Sequence, residues 1–170
     1  MPHTGSRPEH RAALLSELSV ALRHCTAAYA LLNQAIADRF ALHPTDVECL
    51  NLLSLEADRV TISRVGELTG LSTGAATRLV DRLERAGYAT RERDTADRRR
   101  VLVATVPERM AVFAQVWQEL GGAWWQLFDD YDDDHLILLL GYLRRTVRLS
   151  AAQVTRLRSG ARDAPPAPAS

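Results

Sequence analysis

The feature that most constrains the fold is an apolar residue at every third or fourth position along much of the first forty residues. This spacing is typical of a helix that packs along another helix, and it predicts one helix over about residues 9–40. Such a helix is about 45 Å long, more than a small domain covers by itself. We therefore expect a helix of a second chain against this first seam, whose members are Leu15, Leu18, Leu22, Cys25, Tyr29, Leu32 and Ile36.

A second seam with the same spacing begins after Pro107. It predicts a helix through about Tyr131, then another that starts at Asp132–Asp134, where carboxylates suit the positive end of a helix, and runs to about Arg158. Residues 159–170 are rich in Ala and Pro without a large apolar side chain, so we expect a disordered tail. The second seam consists of Met110, Phe113, Trp117, Leu120, Trp124, Leu127, Tyr131, Leu136, Leu140, Leu143 and Val147.

Residues 44–106 have a different pattern. Pro44 is expected to open a helix through about residue 57, capped by Thr45 or a nearby Asp. A β-prone stretch, a short helix at 63–69, a Gly turn, and a longer helix at 73–86 that Gly87 stops are expected next. Two strands, at 88–93 and 99–105, follow. This order predicts a mainly α fold with a small β-hairpin: a winged helix-turn-helix between long dimerisation helices at 1–43 and 107–158.

The 170-residue chain has a formal net charge of zero, but its charged residues are unevenly distributed. All 21 basic residues are Arg, and residues 59–100 hold ten of them with only six acids, a net charge of +4. A local basic patch is the electrostatic footprint of a polyanion such as double-stranded DNA. Charge alone does not separate this interpretation from a solvated helical face.

The helix at 73–86 is the element expected to meet DNA. In a helix-turn-helix, the second helix enters the major groove with its N-terminal residues facing the base edges. Small and polar residues at this end allow a close approach, and Arg side chains can clamp guanine or phosphate. The predicted contact residues of this helix are Ser72, Thr73, Gly74, Ala75, Thr77, Arg78 and Arg82.

The Arg-rich hairpin is expected to form a wing beside this helix. Five Arg side chains crowd the hairpin, and like charges oppose its folding unless a polyanion balances them. We predict that Arg98 and Arg99, at the tip, reach a phosphate or the minor groove, and that Asp97 braces the turn. A solvated turn is the alternative interpretation.

Residues 60–106 resemble the winged helix-turn-helix of the MarR family of bacterial transcriptional regulators. The matching stretches are Val65–Ser72, which reads VGELTGLS, and Thr77–Tyr88, which reads TRLVDRLERAGY. The Asp-x-Arg wing signature of that family is present as Asp97-Arg98-Arg99. The long flanking helices agree in order and length, which extends the resemblance to about residues 9–150.

The resemblance implies a homodimer, with the terminal helices at its interface, that reads a pseudo-palindromic operator. It also implies a repressor that a small, often phenolic ligand or cysteine oxidation releases from DNA. Tyr29 and Trp125 are the candidates for an effector pocket, because Trp125 lies off the second seam and Tyr29 fits either role. Cys25 and Cys49 are interpreted as packing residues rather than redox sensors.

Other classes of function find little support in the sequence. It contains no phosphate-binding Gly loop and no nucleophile elbow, and its five His do not cluster as zinc ligands, so we predict no catalytic residue, metal or cofactor. Apolar runs are short and the N-terminus lacks a signal-peptide core, so we expect a cytoplasmic protein without a membrane partner. The alternative class is a winged helix that binds protein instead of DNA. Outward-facing Arg78, Arg82 and Arg85 disfavour it, because a protein-binding helix more often exposes apolar residues.

Overall fold

The computed structural model describes residues 7–95, 97 and 100–158. The described residues form two compact units, one ending at Phe113 and the other beginning at Ala114. The tail expected at 159–170 lies outside them. The elements are helices α1 (Arg7–Phe40), α2 (Pro44–Leu53), α3 (Ile62–Thr69), α4 (Thr73–Arg85), α5 (Pro107–Gln126) and α6 (Asp133–Arg158), with strands β1 (Val60–Thr61), β2 (Ala89–Arg93) and β3 (Val101–Thr105).

The junction between α1 and α2 is built from hydrogen bonds that the sequence only partly signals. Ala41 ends α1 with a left-handed φ of 52°, and the Leu42 amide donates to the carbonyl of Ala37 at 2.9 Å. This is the bonding pattern of a Schellman turn, here without its usual glycine. The N-cap residue of α2 is His43, whose ring accepts from the Thr45 amide, so Thr45 is not the cap, but the expected Asp takes part in it. Asp46 completes a capping box by accepting from the His43 amide at 3.3 Å.

Glycines at left-handed positions end both helices of the helix-turn-helix. Gly70 follows α3 with a φ of 69°, and Gly87 follows α4 with a φ of 75°. The Tyr88 amide then donates to the carbonyl of Leu83 at 2.9 Å, which turns the chain directly into the sheet. A side chain at either glycine would strain this backbone. The predicted stop at Gly87 is confirmed.

The sheet has three strands: the two of the predicted hairpin and one from the β-prone stretch predicted before α3. All pairs are antiparallel and the order is β1-β3-β2. Val103 is the central residue, paired with Val60 on one side and with Arg91 on the other. The β-prone stretch after α2 therefore forms an edge strand that joins the helix-turn-helix to its wing.

The first unit has a continuous apolar core. Three of its rings meet at the junction of α1, α4 and α5: the Phe40 and Phe113 centroids are 5.5 Å apart, and each lies 6.4 Å from the Tyr88 centroid. Burial of this apolar surface is the main force that holds the helix-turn-helix against α1 and the start of α5. The core comprises Ile36, Ala37, Val47, Cys49, Leu50, Leu53, Val60, Val65, Ala76, Leu79, Val80, Leu83, Tyr88, Ala89, Val103 and Phe113.

The second unit holds α5 from Ala114 onward and all of α6. The prediction that α5 continues to Tyr131 is wrong: after Gln126 the chain forms short turns, such as the 3.0 Å bond from the Tyr131 amide to the Phe128 carbonyl. Asp129 and Asp130 explain this end, since carboxylates are unfavourable at the negative end of a helix. The described part of α6 contains no buried residue. No helix within the described ranges has the length and apolar character needed to cross a membrane.

Candidate nucleic-acid interface

The N-terminus of α4 presents small and polar groups to solvent. Ser72 caps the helix, since its hydroxyl accepts from the Ala75 amide at 3.4 Å. Ser72, Thr73 and Gly74 are exposed, and a Cβ added at Gly74 would meet no atom within 4 Å. Ala75 is half-buried. This end of the helix is therefore open to a close approach by a broad ligand surface.

The outward face of α4 is a narrow stripe opposite its buried face. The buried side chains are Ala76, Leu79, Val80 and Leu83. With 3.6 residues per turn, the direction opposite to them carries Gly74, Arg78, Asp81 and Arg85. We name these four residues the outward stripe. Thr77 lies beside it, half-buried, with its hydroxyl donating to the Thr73 carbonyl at 2.9 Å.

Arg78 is the cation on this stripe that is free to meet a ligand. Its side chain is exposed, and it makes no hydrogen bond or ion pair with the residues that the structure describes. Arg85 is also exposed, but its Nε donates to the carbonyl of Asp81 at 3.2 Å. Of the two, Arg78 is closer to the N-terminus of the helix, where a groove would be entered.

Arg82 faces α2 instead of the outward stripe. Its Nη2 lies 2.5 Å from Oδ1 of Asp46, and its Nε donates to Oδ2 at 3.1 Å. Asp46 is 2% exposed, so this bidentate pair fastens α4 to the first turn of α2. Hydrogen bonding to Asp46 raises the pKa of the Arg82 guanidinium further above its already high value. The expectation that Arg82 forms an outward ridge with Arg78 and Arg85 is therefore corrected, because the buried carboxylate holds its guanidinium. A contact of Arg82 with DNA stays a prediction.

Arg91 of β2 binds the opposite flank of α4. Its Nη2 lies 2.7 Å from Oδ1 of Asp81, and its Nη1 bonds the carboxylate of Glu84. Nη2 also donates to the Thr77 carbonyl at 3.3 Å. Two ion-pair clamps thus hold α4, one from α2 and one from the wing strand.

The wing turn is closed by residues at its base. The Asp94 amide donates to the Arg100 carbonyl at 3.1 Å, and the Arg100 amide donates to the Asp97 carbonyl at 2.8 Å. Asp94 Oδ1 accepts from the Asp97 amide at 3.4 Å, and Asp94 Oδ2 lies 3.8 Å from Arg100 Nη1. Asp97 thus joins the turn through its backbone, and a bracing role for its carboxylate stays a prediction. Arg98 and Arg99 lie outside the described residues.

The two candidates for an effector pocket belong to different units. Tyr29, on α1, has a half-exposed ring, and Trp125, near the end of α5, is 74% exposed. The Trp125 ring lies 6.2 Å from that of Phe128. Their role in ligand binding stays a prediction.

The two cysteines differ in their surroundings. Cys25 is exposed on α1, whereas Cys49 is buried on α2. Desolvation by burial, with a smaller contribution from the Asp46 carboxylate, raises the pKa of Cys49 to about 12. Cys49 is therefore a neutral thiol near pH 7, poorly suited to thiolate redox chemistry. Among the described residues, His, Cys, Asp and Glu form no cluster of three that could hold a metal ion.

Sequence reasoning missed Asp46 and the binding partners of Arg91. A signal for Asp46 exists: it precedes Leu50 by four residues and Leu53 by seven, which places it on the buried face of α2. A carboxylate there needs a cationic partner. The partners of Arg91 have no comparable signal, because Asp81 and Glu84 look like ordinary surface acids of a helix.

A short helix, a tight turn, a longer helix with an open N-terminus and an antiparallel wing define a winged helix-turn-helix protein. A family model described as MarR family matches residues 42–100. An HTH-type transcriptional regulator of Bacillus subtilis (strain 168), YcgE, is 34% identical over 128 residues, which cover 75% of this chain and 82% of that protein. The chain belongs to the MarR family of transcriptional regulators, as its resemblance to that family predicted.

Solved structures agree with the fold. A MarR family protein from Bacillus stearothermophilus matches with a TM-score of 0.64 at 20% identity, over 82% of this chain and 96% of that one. A MarR family transcriptional regulator from Silicibacter pomeroyi DSS gives 0.63 at 24% identity, over 88% and 98%. Apo wild-type MarR from E. coli gives 0.56 at 21% identity, over 76% and 95%. The predicted mainly α, winged-helix class is confirmed.

Proposed function

We propose that the chain binds double-stranded DNA as a homodimer, with α4 of each copy in the major groove of one half of a pseudo-palindromic operator. The observation that carries this proposal is the outward face of α4. It combines an open, small-residue N-terminus with one uncommitted cation, Arg78, and lacks the exposed apolar surface that a protein-binding helix would need. Polar groups on base edges and phosphates are the complement of such a face.

Arg78 is the residue that we propose reads a base. A guanidinium that is not engaged elsewhere can bond guanine O6 and N7 together, which is the commonest specific contact in the major groove. We propose that Ser72 and Thr73, six and five residues before Arg78 at the N-terminus of α4, meet a phosphate with hydroxyls and backbone amides. Arg82 contributes by orienting the helix through Asp46 instead of by contacting DNA.

Apolar surface on the long helices supports the homodimer. Leu15, Leu18 and Leu22 on α1 are 44–56% exposed, and Leu140 and Leu143 on α6 are 46% and 58% exposed. Large apolar side chains exposed in a row along each helix mark an interaction site. A second copy is the partner that we propose, because a two-fold dimer covers the same surface on both chains and places two recognition helices for two inverted half-sites.

The regulatory role that we propose is repression relieved by a small aromatic effector. Support comes from membership of the MarR family and from the exposed rings of Tyr29 and Trp125. If these rings meet the effector, Tyr29→Ala and Trp125→Ala, tested separately, should each keep DNA affinity. At least one should lose the release that a simple aromatic acid such as benzoate or salicylate produces in the wild type. A response unchanged in both variants would contradict the assignment of these residues.

DNA binding is tested without knowledge of the operator by selection from a random duplex library with the full-length protein. The proposal expects enrichment of an inverted repeat with half-site centres about one helical turn apart. On the enriched duplex, Arg78→Ala should weaken binding by about 1–3 kcal/mol and relax the preference at one position in each half-site.

The matched control is Arg144→Ala, which removes the same charge from the exposed surface of α6. It should leave the base preference unchanged. Failure to enrich any sequence, at low salt as well as at physiological salt, would contradict the proposal. Equal losses for Arg78→Ala on enriched and on random DNA would make Arg78 a phosphate contact and overturn its assigned role.

A further inference from the structure

An acidic residue lies in the middle of the face that we propose enters the major groove. Asp81 belongs to the outward stripe, three residues after Arg78 and four before Arg85, and its side chain is 45% exposed. Glu84 follows it on the flank toward the wing. DNA carries one negative charge per about 1.7 Å of helix axis, so uncompensated carboxylates at this position oppose binding. Binding of DNA to this face therefore requires a cation that neutralises the carboxylates of Asp81 and Glu84.

That cation is Arg91, from the wing strand β2. One guanidinium bonds the carboxylates of Asp81 and Glu84 and the carbonyl of Thr77, groups spread over two turns of α4. The Arg91 side chain is only 25% exposed. A planar fork of donors suits such bridging better than a point charge does, which makes Arg different from Lys at this position.

We propose that Arg91 is a positioning residue for DNA binding: it masks the carboxylates of Asp81 and Glu84 from the phosphates and fixes the wing strand against α4, without itself contacting DNA. This inference rests on the proposed function. The ligand that it concerns is the polyanionic backbone of the duplex.

A neighbouring side chain provides a matched control. Arg93 lies two residues further along β2, and its exposed side chain makes no hydrogen bond or ion pair to the residues that the structure describes. Arg91 and Arg93 thus share a strand and a charge but differ in their engagement with α4. If the wing touches DNA directly, Arg93 is the one of the two that is available to do so.

The test is a rescue experiment with full-length variants on the enriched duplex and on a random duplex, with melting temperatures measured alongside. Arg91→Met keeps the length of the side chain but unmasks the acids, so affinity for both duplexes should fall about tenfold or more. Adding Asp81→Asn should recover most of this loss, because it removes the central carboxylate of the stripe. Asp81→Asn should not rescue Arg93→Met.

Two results would overturn the inference. Arg91 would be a phosphate contact if Arg91→Met flattened the log–log salt slope by about 0.9 and Asp81→Asn restored nothing. Unchanged binding by Arg91→Met would also refute the inference. If the wild type bound no duplex at all, the proposed function would fail instead.

If Arg91→Met does not fold, Arg91→Lys replaces it. Because an ammonium group bridges the two acids poorly, Arg91→Lys should also weaken binding, and Asp81→Asn should again recover affinity. No recovery by Asp81→Asn would contradict the inference.

Discussion

Leucines of the winged helix and leucines of the long helices have opposite environments in this chain. Leu50, Leu79 and Leu83 are completely buried, whereas Leu140 and Leu143 of α6 are about half exposed. Both sets recur with helical spacing and look alike in the sequence. The difference is that the winged helix completes its core within one chain, while the long helices leave apolar surface exposed, which we propose a second copy covers.

This contrast separates two ways of using the same side chain. Burial within the chain stabilises the fold of the protomer at any protein concentration. Burial in a dimer stabilises only when a partner is present, so its effect depends on concentration. The same type of substitution should therefore have different effects in the two regions. In the winged helix it should lower the stability of the protomer, and in the long helices it should weaken the dimer.

The largest effect is expected from a charge in the seam of α6. Leu140→Asp would bury a carboxylate without a partner in the proposed dimer interface, at a cost of several kcal/mol for each copy, and two-fold symmetry doubles it. Sedimentation at micromolar concentration should show a monomer of about half the wild-type mass. Leu55→Asp is the control: Leu55 is 80% exposed and lies outside the seams, so this variant should stay dimeric. If the Leu140→Asp protein stayed dimeric, α6 could not be part of the proposed interface.

The next effect is expected in the core of the winged helix. Leu79→Ala leaves a cavity beneath α4 and should lower the free energy of unfolding by about 3–5 kcal/mol, as buried Leu-to-Ala changes do. Chemical denaturation measures this loss, and the dimer dissociation constant should stay near the wild-type value. Leu55→Ala should change stability by less than about 0.5 kcal/mol. A Leu79→Ala protein as stable as Leu55→Ala would contradict the packing described for α4.

Much of the fold could be predicted because its elements are marked locally. Pro44, Gly70 and Gly87 mark helix ends, and apolar periodicity marks the helices between them. The end of α5 was predicted wrongly because it depends on a weaker local signal: Asp129 and Asp130 end the helix early through unfavourable charge at its C-terminus. The predicted strand at β1 formed as expected, paired with β3.

The candidate site was predicted less completely than the fold. Helical geometry places Arg78 outward, but it does not reveal that Arg82 turns to Asp46, which lies 36 residues earlier. A guanidinium can reach in several directions, so its partner is decided by tertiary packing. The same reason explains why Arg91, predicted as part of a basic wing, is bound to acids of α4.

The smallest effect concerns the two thiols, which repeat the contrast between the regions. Cys49 is buried on α2 of the winged helix with its pKa raised to about 12, against an ordinary value of 9.0, while Cys25 is exposed on the long helix α1. Above pH 9 the unfolded chain loses the Cys49 proton and the folded chain keeps it, so stability falls as pH rises toward 12. Between pH 8 and pH 10 this linkage amounts to about 1.4 kcal/mol.

The measurement is the difference in denaturant-derived stability between pH 8 and pH 10 for the wild type and for Cys49→Ala. The variant should lose about 1.4 kcal/mol less than the wild type over this interval, because the thiol that titrates only in the unfolded chain is gone. Other groups that titrate in this range contribute equally to both proteins and cancel in the comparison. Cys25→Ala removes the exposed thiol and serves as the control. If Cys25→Ala reduced the loss of stability between pH 8 and pH 10 and Cys49→Ala did not, burial of Cys49 beside Asp46 could not be the cause of that loss.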